Sequence, residues 1–309
     1  MSSIKPGETP SAPASARTAR PQSPYFYRFK LGDADVSVVT DGPLELGDAS
    51  SNFVGVSEEE VRRMLARHYL PTDDVVLEQN VPVVEIGGKT VLFETGMGEV
   101  KIFGPRTGQL QKSLRAAGID PASVDAVVLS HAHIDHAGGV CAPDGTPLFP
   151  NAQIYISERD FIDWTDESRL SSPFGNQVEV ARKNLLPVRD RLVFFKDGQE
   201  FLPGIQAIAA PGHTFGHHCF MVSSAGASFC FLGDLTHHHV LLMEKPLMEF
   251  AYDADPKQSA QTRTRLLGML ADQRIPVMSY HFAWPGFGNV GRDGDGFRYF
   301  PAPMQLDPL

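Results

Sequence analysis

The segment from His131 to His136, which reads His-Ala-His-Ile-Asp-His, constrains the fold more than any other stretch of the chain. It follows a short apolar run at residues 126–129, which is typical of a buried strand. Three imidazoles and one carboxylate lie within six positions, and borderline divalent metals favour this mix of ligands. A polar loop whose histidines hydrogen-bond locally is the alternative. The pattern favours a metal site at the end of a strand.

The spacing within this segment predicts two neighbouring metal ions. Side-chain direction repeats every two residues in an extended chain, so His131 and His133 point the same way. A turn at Ile134 would direct Asp135 and His136 towards a second point a few ångströms away. We therefore expect the first two residues to hold one ion and the last two to hold another.

The order His-x-His-x-Asp-His also resembles the signature of the metallo-β-lactamase superfamily. This resemblance implies that further ligands follow downstream, in order, at the ends of strands. Three residues meet that condition. His213 follows a predicted strand at residues 205–209, Asp234 follows one at 228–232, and His281 follows one at 275–280.

Together these residues form two predicted ligand groups. Gly212 allows the tight turn that delivers His213, and the two carboxylate oxygens of Asp234 can bridge two cations. One group is His131, His133, His213 and Asp234; the other is Asp135, His136, His281 and the same Asp234. The positions are those that the superfamily uses, so the resemblance extends from about Tyr25 to the C-terminus.

Within the superfamily the chain is most similar to the methyl parathion hydrolase-like group and to quorum-quenching lactonases. Residues 103–110, 114–118, 233–235, 281–288 and 296–301 carry this likeness. One position departs from the family pattern Asp-Thr-Gly, because the chain has Glu94-Thr95-Gly96. The family acid supports the site from behind the ligands, and the longer Glu94 could change metal affinity about ten- to hundredfold.

Strand patterns interrupted by helices, in two halves, predict an α/β fold. The resemblance specifies it as the metallo-β-lactamase fold, an αββα sandwich of two mixed β-sheets with helices on the outer faces. A hairpin at residues 81–93, a helix capped by Ser57 and a long helix capped by Asp255 fit this arrangement. We expect residues 24–309 to form a single domain, and residues 1–23, rich in Ser, Pro and Ala, to form a disordered or extended arm.

Composition excludes several classes of partner. The chain has 309 residues, of which 42% are hydrophobic and 21% charged, as in ordinary soluble proteins. A net charge of -10 argues against nucleic acid, and no apolar run is long enough to cross a membrane. Cys141, Cys219 and Cys230 are an odd, unclustered set. They are expected to be buried thiols in a reducing compartment, so we predict a cytoplasmic protein.

The chemistry expected of the two groups is metal-dependent hydrolysis. Two divalent ions, Zn²⁺ by default with Mn, Fe or Co possible, would hold a bridging hydroxide as the nucleophile. Asp234 would bridge the ions and Asp135 would hold the proton of the nucleophile. Aromatic side chains near the ions would form an apolar substrate pocket; the candidates are Phe103, Trp164, Phe174, Phe282 and Trp284. This predicts a small hydrophobic substrate, namely an ester, a lactone or an organophosphate triester, and the resemblance implies a homodimer.

Other interpretations remain open at this point. Asp234 argues against a true β-lactamase of the superfamily, which lacks this bridging residue. A glutathione-type thioesterase would need a basic cluster for its anionic substrate, and none is evident in the C-terminal region. A metal-stabilised binding protein without turnover is the alternative from another class. We expect His217, His218 and the run His237–His239 to be exposed, to support the ligands, or to lie on the pocket rim.

Overall fold

The structure is a computed structural model that describes residues 26–304. Its first sheet has seven strands. In spatial order they are β1 (Phe26–Leu31), β2 (Ala34–Thr40), β6 (Asn80–Ile86), β7 (Lys89–Phe93), β8 (Ala126–Val128), β9 (Gln153–Ser157) and β10 (Leu192–Phe195). The pairs up to β7 are antiparallel, and the pairs from β7 to β10 are parallel. This sheet is therefore mixed.

The second sheet also has seven strands. They are β11 (Glu200–Leu202), β12 (Ile205–Ala209), β13 (His218–Ser224), β14 (Ala227–Phe231), β16 (Val277–Met278), β17 (Phe287–Asp293) and β18 (Gly296–Pro301). Only β14 and β16 pair in parallel, so this sheet is mixed as well. Two small antiparallel pairs complete the strands: β3 (Leu44–Gly47) with β5 (Val75–Leu77), and β4 (Phe53–Val54) with β15 (Glu249–Phe250).

The described residues form eight α-helices, four of which begin directly after a residue whose side chain caps them. They are α1 (Ala49–Asn52), α2 (Glu58–Arg67), α3 (Leu110–Ala116), α4 (Ile134–Ala137), α5 (Glu158–Thr165), α6 (Gly175–Leu185), α7 (Leu241–Glu244) and α8 (Pro256–Gln273). Ser57 accepts a hydrogen bond from the Glu60 backbone N–H, and Asp255 accepts one from Gln258. Both predicted caps are confirmed.

The main core lies between the two sheets. Phe93 on β7 packs against Phe220 and Phe231 of the second sheet, with ring centroids 5.8 and 5.3 Å apart. Helix α8 covers the outer face of the second sheet with a buried stripe that includes Leu266 and Leu270. Helices α3 and α5 lie against the first sheet. The predicted αββα sandwich of two mixed sheets is confirmed.

The end of the chain differs from the prediction. The last core strand is only Val277–Met278, because the chain then bends towards His281. The following hairpin, β17 and β18, extends the second sheet and was not predicted as strands. The arm predicted for residues 1–23 lies outside the described residues. Within residues 26–304, no helix is both long and apolar enough to cross a bilayer.

Candidate metal centre

Three imidazole rings converge in the first ligand group. The Nδ1 atom of His133 lies 2.9 Å from Nε2 of His213, which lies 3.2 Å from Nε2 of His131. All three residues are buried. Nitrogen atoms of three rings that face one another leave lone pairs directed at a common point, as a metal ion requires.

The second group combines two imidazoles with two carboxylates. The Nε2 atoms of His136 and His281 lie 3.1 and 3.2 Å from Oδ1 of Asp234. The same two nitrogens lie 3.4 and 3.5 Å from Oδ2 of Asp135. Ligand atoms of all four residues lie within 4.8 Å of one another, a spacing that one ion can span.

Asp234 lies between the two groups and presents one oxygen to each. Its Oδ1 atom faces the second group, whereas its Oδ2 atom lies 3.1 Å from Nε2 of His213 and 3.7 Å from Nε2 of His131. The structure therefore brings together all seven candidate ligands, with one carboxylate between the two groups as the sequence predicts.

These residues follow the carboxyl ends of strands β8, β12, β14 and β16 in the two sheets. Two glycines allow the close approach. Gly212 has a φ of +134°, and a Cβ atom there would lie 2.2 Å from the backbone nitrogen of Ser259. Gly233 has a φ of +49°, and a Cβ atom there would lie 2.7 Å from Nε2 of His217. Any other residue would push the loops of His213 or Asp234 away from the cluster.

The outward nitrogens of several rings are held by other groups. Nδ1 of His213 donates to Oδ1 of Asp253 at 2.8 Å, and Nδ1 of His281 donates to the Glu78 carbonyl oxygen at 2.8 Å. Nδ1 of His131 lies 2.9 Å from the Ser130 hydroxyl. Such partners select the tautomer that leaves the inward nitrogen free for a metal.

The burial and the charge of the candidate ligands suit divalent cations. Nε2 of His136 and Oδ1 of Asp234, which face each other in the second group, are buried and have no hydrogen-bond partner. Burial lowers the pKa of His131 and His133 well below the usual value, so both rings are neutral and keep a lone pair. Burial also opposes the charged form of His136, but the neighbouring carboxylates, Asp234 first, outweigh it and raise its pKa. Without a cation the cluster needs protons to balance its carboxylates, and bound metal would replace them.

Glu94 supports the cluster from behind, in the role that the sequence predicts. It is fully buried; its carboxylate accepts a hydrogen bond from the Ser130 backbone N–H, and Oε2 lies 3.5 Å from Nδ1 of His136. Burial raises the pKa of Glu94, and the charge of His136 acts in the opposite direction. The longer acid thus still reaches the ring that it would support.

Sequence reasoning missed three buried carboxylates around the cluster. Asp253 holds His213, and Asp160 accepts a hydrogen bond from the Ala132 backbone N–H at 2.6 Å. Asp41 accepts from three backbone N–H groups, at Met97, Gly108 and Leu110. Each is a single carboxylate far from the motif in sequence, so no local pattern marks it.

Three roles were predicted for the additional histidines, and solvent exposure is wrong for all five, because four are buried and His239 is half-buried. His217 accepts a hydrogen bond from the Asp234 backbone N–H at 2.9 Å, and His237 places Nε2 3.0 Å from Oδ2 of Asp234. His238 accepts from the backbone at the start of α7. His218 donates to the Gly216 carbonyl, and His239 is half-buried. His217 thus supports the backbone of a candidate ligand and His237 lies on the cavity wall, and both roles are among those predicted.

A largely apolar cavity of about 340 Å³, including open solvent at its mouth, lies in front of the cluster. Its lining combines candidate ligands, His237 and Gln177 with apolar and aromatic side chains: Leu44, Leu46, Leu77, Phe103, Phe250 and Tyr252. None of these lining residues is Lys or Arg. The cavity therefore fits an uncharged, hydrophobic molecule that presents a polar group to the cluster.

Of the five aromatic residues predicted to line the pocket, only Phe103 does so. Trp164 is buried beside His133, with ring centroids 4.5 Å apart, and Phe174 packs on Trp164. Phe282 is buried against Tyr299, and Trp284 packs on the main core. The prediction for these four is corrected, because their rings pack against neighbouring side chains and are not part of the cavity lining.

Comparison with known proteins relates the chain to one family. A family model described as the metallo-beta-lactamase superfamily matches residues 74–274, which include six of the seven candidate ligands. The remaining one, His281, follows the matched region.

Two solved structures match nearly the whole chain. One is AidC, a dizinc quorum-quenching lactonase, in complex with the product N-hexanoyl-L-homoserine; it is 27% identical, with a TM-score of 0.85 over 91% of this chain and 98% of that one. The other is the hydrolase AbOPH of the beta-lactamase superfamily, 25% identical, with a TM-score of 0.85 over 93% and 100% of the two chains.

Curated relatives match over shorter regions. The lactamase-like protein ptaB of Pestalotiopsis fici is 30% identical over 150 residues, 48% of this chain and 37% of the relative. An atrochrysone carboxyl ACP thioesterase of Aspergillus terreus is 28% identical over 150 residues, 48% of this chain and 37% of the relative. The matched region thus spans well under half the length of these relatives.

Proposed function

Because the chain belongs to the metallo-β-lactamase superfamily, we propose that it is a dinuclear metallohydrolase that opens hydrophobic lactones and cleaves related carboxylic esters. One observation carries this proposal. The two ligand groups share Asp234 and line a largely apolar cavity whose other lining residues include no Lys, Arg, Asp or Glu. The cavity suits an apolar acyl or alkyl chain, and the cluster suits the carbonyl group attached to it.

Two divalent cations, when bound, would supply an activated water and polarise the carbonyl group. His131, His133 and His213 would hold one cation. Asp135, His136 and His281 would hold the other, with Asp234 between the two. Zinc is the cation that we propose for both positions, because it accepts imidazole and carboxylate ligands.

The protein's own residues would orient and protect the reaction. Asp135 lines the cavity, and 11% of its side chain is exposed, so its carboxylate can hydrogen-bond to the attacking water and hold its proton. Leu44, Leu77 and Phe103 would exclude bulk water around the substrate. A drier cavity strengthens each polar contact with the reacting carbonyl.

Thioester hydrolysis is a second candidate, supported by the likeness to the Aspergillus terreus thioesterase. The attacked group would again be an acyl carbonyl, with sulfur in place of oxygen in the bond that breaks. The absence of Lys and Arg from the cavity lining disfavours an anionic thiol such as glutathione.

Initial rates on four substrate classes test the proposal. The zinc-loaded protein is assayed with an N-acyl-homoserine lactone, an aryl ester, a phosphotriester and an acyl thioester. We expect the highest kcat/KM for the lactone, and loss of turnover with a chelator and in Asp234→Asn. Asp33→Asn, an exposed aspartate in the turn after β1, is the matched control and should keep full activity. A metal-loaded protein that hydrolyses neither lactone nor ester would refute the proposal.

A further inference from the structure

His237 is a buried imidazole at the cluster that belongs to neither predicted ligand group. Its Nε2 atom lies 3.0 Å from Oδ2 of Asp234. The same oxygen faces the first ligand group, because it also lies 3.1 Å from Nε2 of His213. Ligand atoms of these three residues lie within 4.8 Å of one another. His237 therefore places a ring nitrogen beside the oxygen that Asp234 offers to the first group.

The two short distances suit neighbouring ligands of a single ion. Ligand atoms about 2.1 Å from zinc lie about 3.0 Å apart when they form a right angle at the ion, and about 3.4 Å apart at the tetrahedral angle. His213 and His237 both hold a nitrogen at the shorter spacing from Oδ2 of Asp234. Angles near 90° occur when an ion has more than four ligands, and zinc can expand to five.

Aromatic packing holds the His237 ring in this position. The ring stacks on Phe250, with centroids 3.9 Å apart and an angle of 25° between the planes. The ring of His281 lies 5.3 Å away and is nearly parallel, at 18°. Phe250 is itself fixed by the pairing of β15 with β4. A rotation that took Nε2 away from Asp234 would break this stacking.

The other ring nitrogen of His237 leaves the choice of tautomer open. Among the described residues, Nδ1 of His237 is buried without a hydrogen-bond partner, whereas Nδ1 of His213 is held by Asp253. Facing a carboxylate without a cation, Nε2 carries the ring proton. Because Nδ1 makes no bond that must first break, it can take that proton when Nε2 turns its lone pair to a cation. The missing partner also makes His237 a weaker ligand than His213.

We propose that His237 is an additional ligand, through Nε2, of the cation that the first ligand group holds. The inference rests on the metal centre of the proposed function and does not depend on its substrate. It gives the first ion five protein ligands and leaves four for the second, so the two sites of the cluster differ. The second ion then has more positions open to water or substrate.

Two substitutions separate a ligand from a hydrogen-bond donor. His237→Gln keeps an N–H group near the position of Nε2, but an amide nitrogen has no lone pair for zinc. His237→Glu offers a carboxylate oxygen, which can bind zinc but cannot donate. We expect the dissociation constant of one of the two ions to rise about tenfold in His237→Gln and to stay near the wild-type value in His237→Glu. Competition with a chromogenic chelator measures both.

Proton NMR of the Co²⁺-loaded wild type counts the bound rings without any substitution. Each histidine that binds Co²⁺ through one nitrogen gives one strongly shifted, exchangeable N–H signal. We expect six such signals, five from the histidines of the two ligand groups and one from His237. The signal of His237 should be absent in both variants. Five signals in the wild type would overturn the inference.

His239→Gln is the matched control, because it changes a half-buried histidine of the same run. It should keep both affinities and all shifted signals. If His237→Gln binds both ions as tightly as the wild type does, or if His237→Glu weakens binding as much as His237→Gln, the role of His237 is structural and the inference is overturned. If the wild type binds no cation, the proposed function fails first, and the inference fails with it.

Discussion

At the scale of single residues, the side chains behind the candidate ligands determine which nitrogen of each ring faces the centre. Glu94, Ser130 and Asp253 contact the outward nitrogens of three different histidines. These contacts position the rings before any ion arrives. Their loss should therefore appear in metal affinity before it appears in the fold.

Glu94→Gln tests this at the second ligand group. The amide keeps the size of the side chain but removes the negative charge 3.5 Å from Nδ1 of His136. We expect about tenfold weaker binding of one of the two cations, measured by competition with a chromogenic chelator. Glu85→Gln, an exposed change on β6, should bind both as the wild type does. Equal affinities in the two variants would mean that Glu94 does not support the ring.

Asp41 gives a prediction of pH dependence. Burial raises its pKa to about 6, although three backbone N–H groups favour the ionised form. The folded protein therefore keeps this proton where the unfolded chain, with a pKa near 3.8, has released it. The contribution of Asp41 to stability then declines as the pH rises through about 6.

Asp41→Asn removes this titration and loses at least one N–H acceptor. We expect the variant to be about 1–3 kcal/mol less stable than the wild type at pH 5. The difference should shrink towards pH 7, because only the wild type loses stability on ionisation. Urea unfolding of both metal-free proteins measures it, and a difference that grows with pH would contradict the raised pKa.

The candidate ligands could be predicted from the sequence because they either lie together in one short segment or directly follow a recognisable strand. The segment from His131 to His136 carries its chemistry in one stretch, and His213, Asp234 and His281 follow recognisable strands. Asp253 acts through a side-chain contact across 40 positions of sequence, and it belongs to no local pattern.

At the scale of elements, α8 is connected to the cluster through one buried cation. Arg263 is fully buried and donates to the carbonyl oxygens of Leu235, Pro246 and Met248. Its Nη2 atom also lies 3.6 Å from Oδ2 of Asp253, which holds His213. Through this one side chain, α8 holds both the loop that follows Asp234 and the carboxylate of Asp253.

Arg263→Met should remove these bonds and keep most of the side-chain volume. It leaves three carbonyl groups without this donor and Asp253 without its neighbouring cation. We expect the free energy of unfolding to fall by about 3–5 kcal/mol, measured by urea denaturation. Arg265→Met, an exposed position on the same helix, should change it by less than about 0.5 kcal/mol. Similar stabilities for the two variants would contradict the role assigned to Arg263.

Helices with a strong capping residue and strands with alternating apolar and polar residues could be predicted from the sequence. Elements whose ends are set by contacts with distant parts of the chain could not. Ser57 and Asp255 mark the starts of α2 and α8 in sequence. The strand β16 is only two residues long because the chain must turn to bring His281 to the cluster. Helix α6 has weak apolar periodicity and is held in place by its packing against α4 and α5.

At the scale of the whole molecule, two sheets deliver buried imidazoles and carboxylates to one centre. The cluster stores unpaired polar atoms inside the protein in the absence of a cation, so metal binding should stabilise the entire fold. The homodimer implied by the family resemblance stays a prediction.

Removal of metal should therefore lower the melting temperature. When the free Zn²⁺ concentration is far above the dissociation constants of both sites, metal binding stabilises the fold. We then expect a chelator to lower Tm by roughly 5–15 °C, and added Zn²⁺ to restore it. In Asp234→Asn the shift should be much smaller, because the residue shared by both groups is changed. Scanning calorimetry with and without chelator measures Tm for the wild type and for the variant. A wild-type Tm that does not change when the chelator is added would show that the cluster binds metal weakly.

The most direct test of the central claim is the number of divalent ions per chain, measured by mass spectrometry together with lactone turnover on the same sample. The two ligand groups that share Asp234 predict close to two ions per chain, with turnover that rises in proportion to metal content and disappears with a chelator. Full turnover at one ion per chain or fewer would contradict the dinuclear centre.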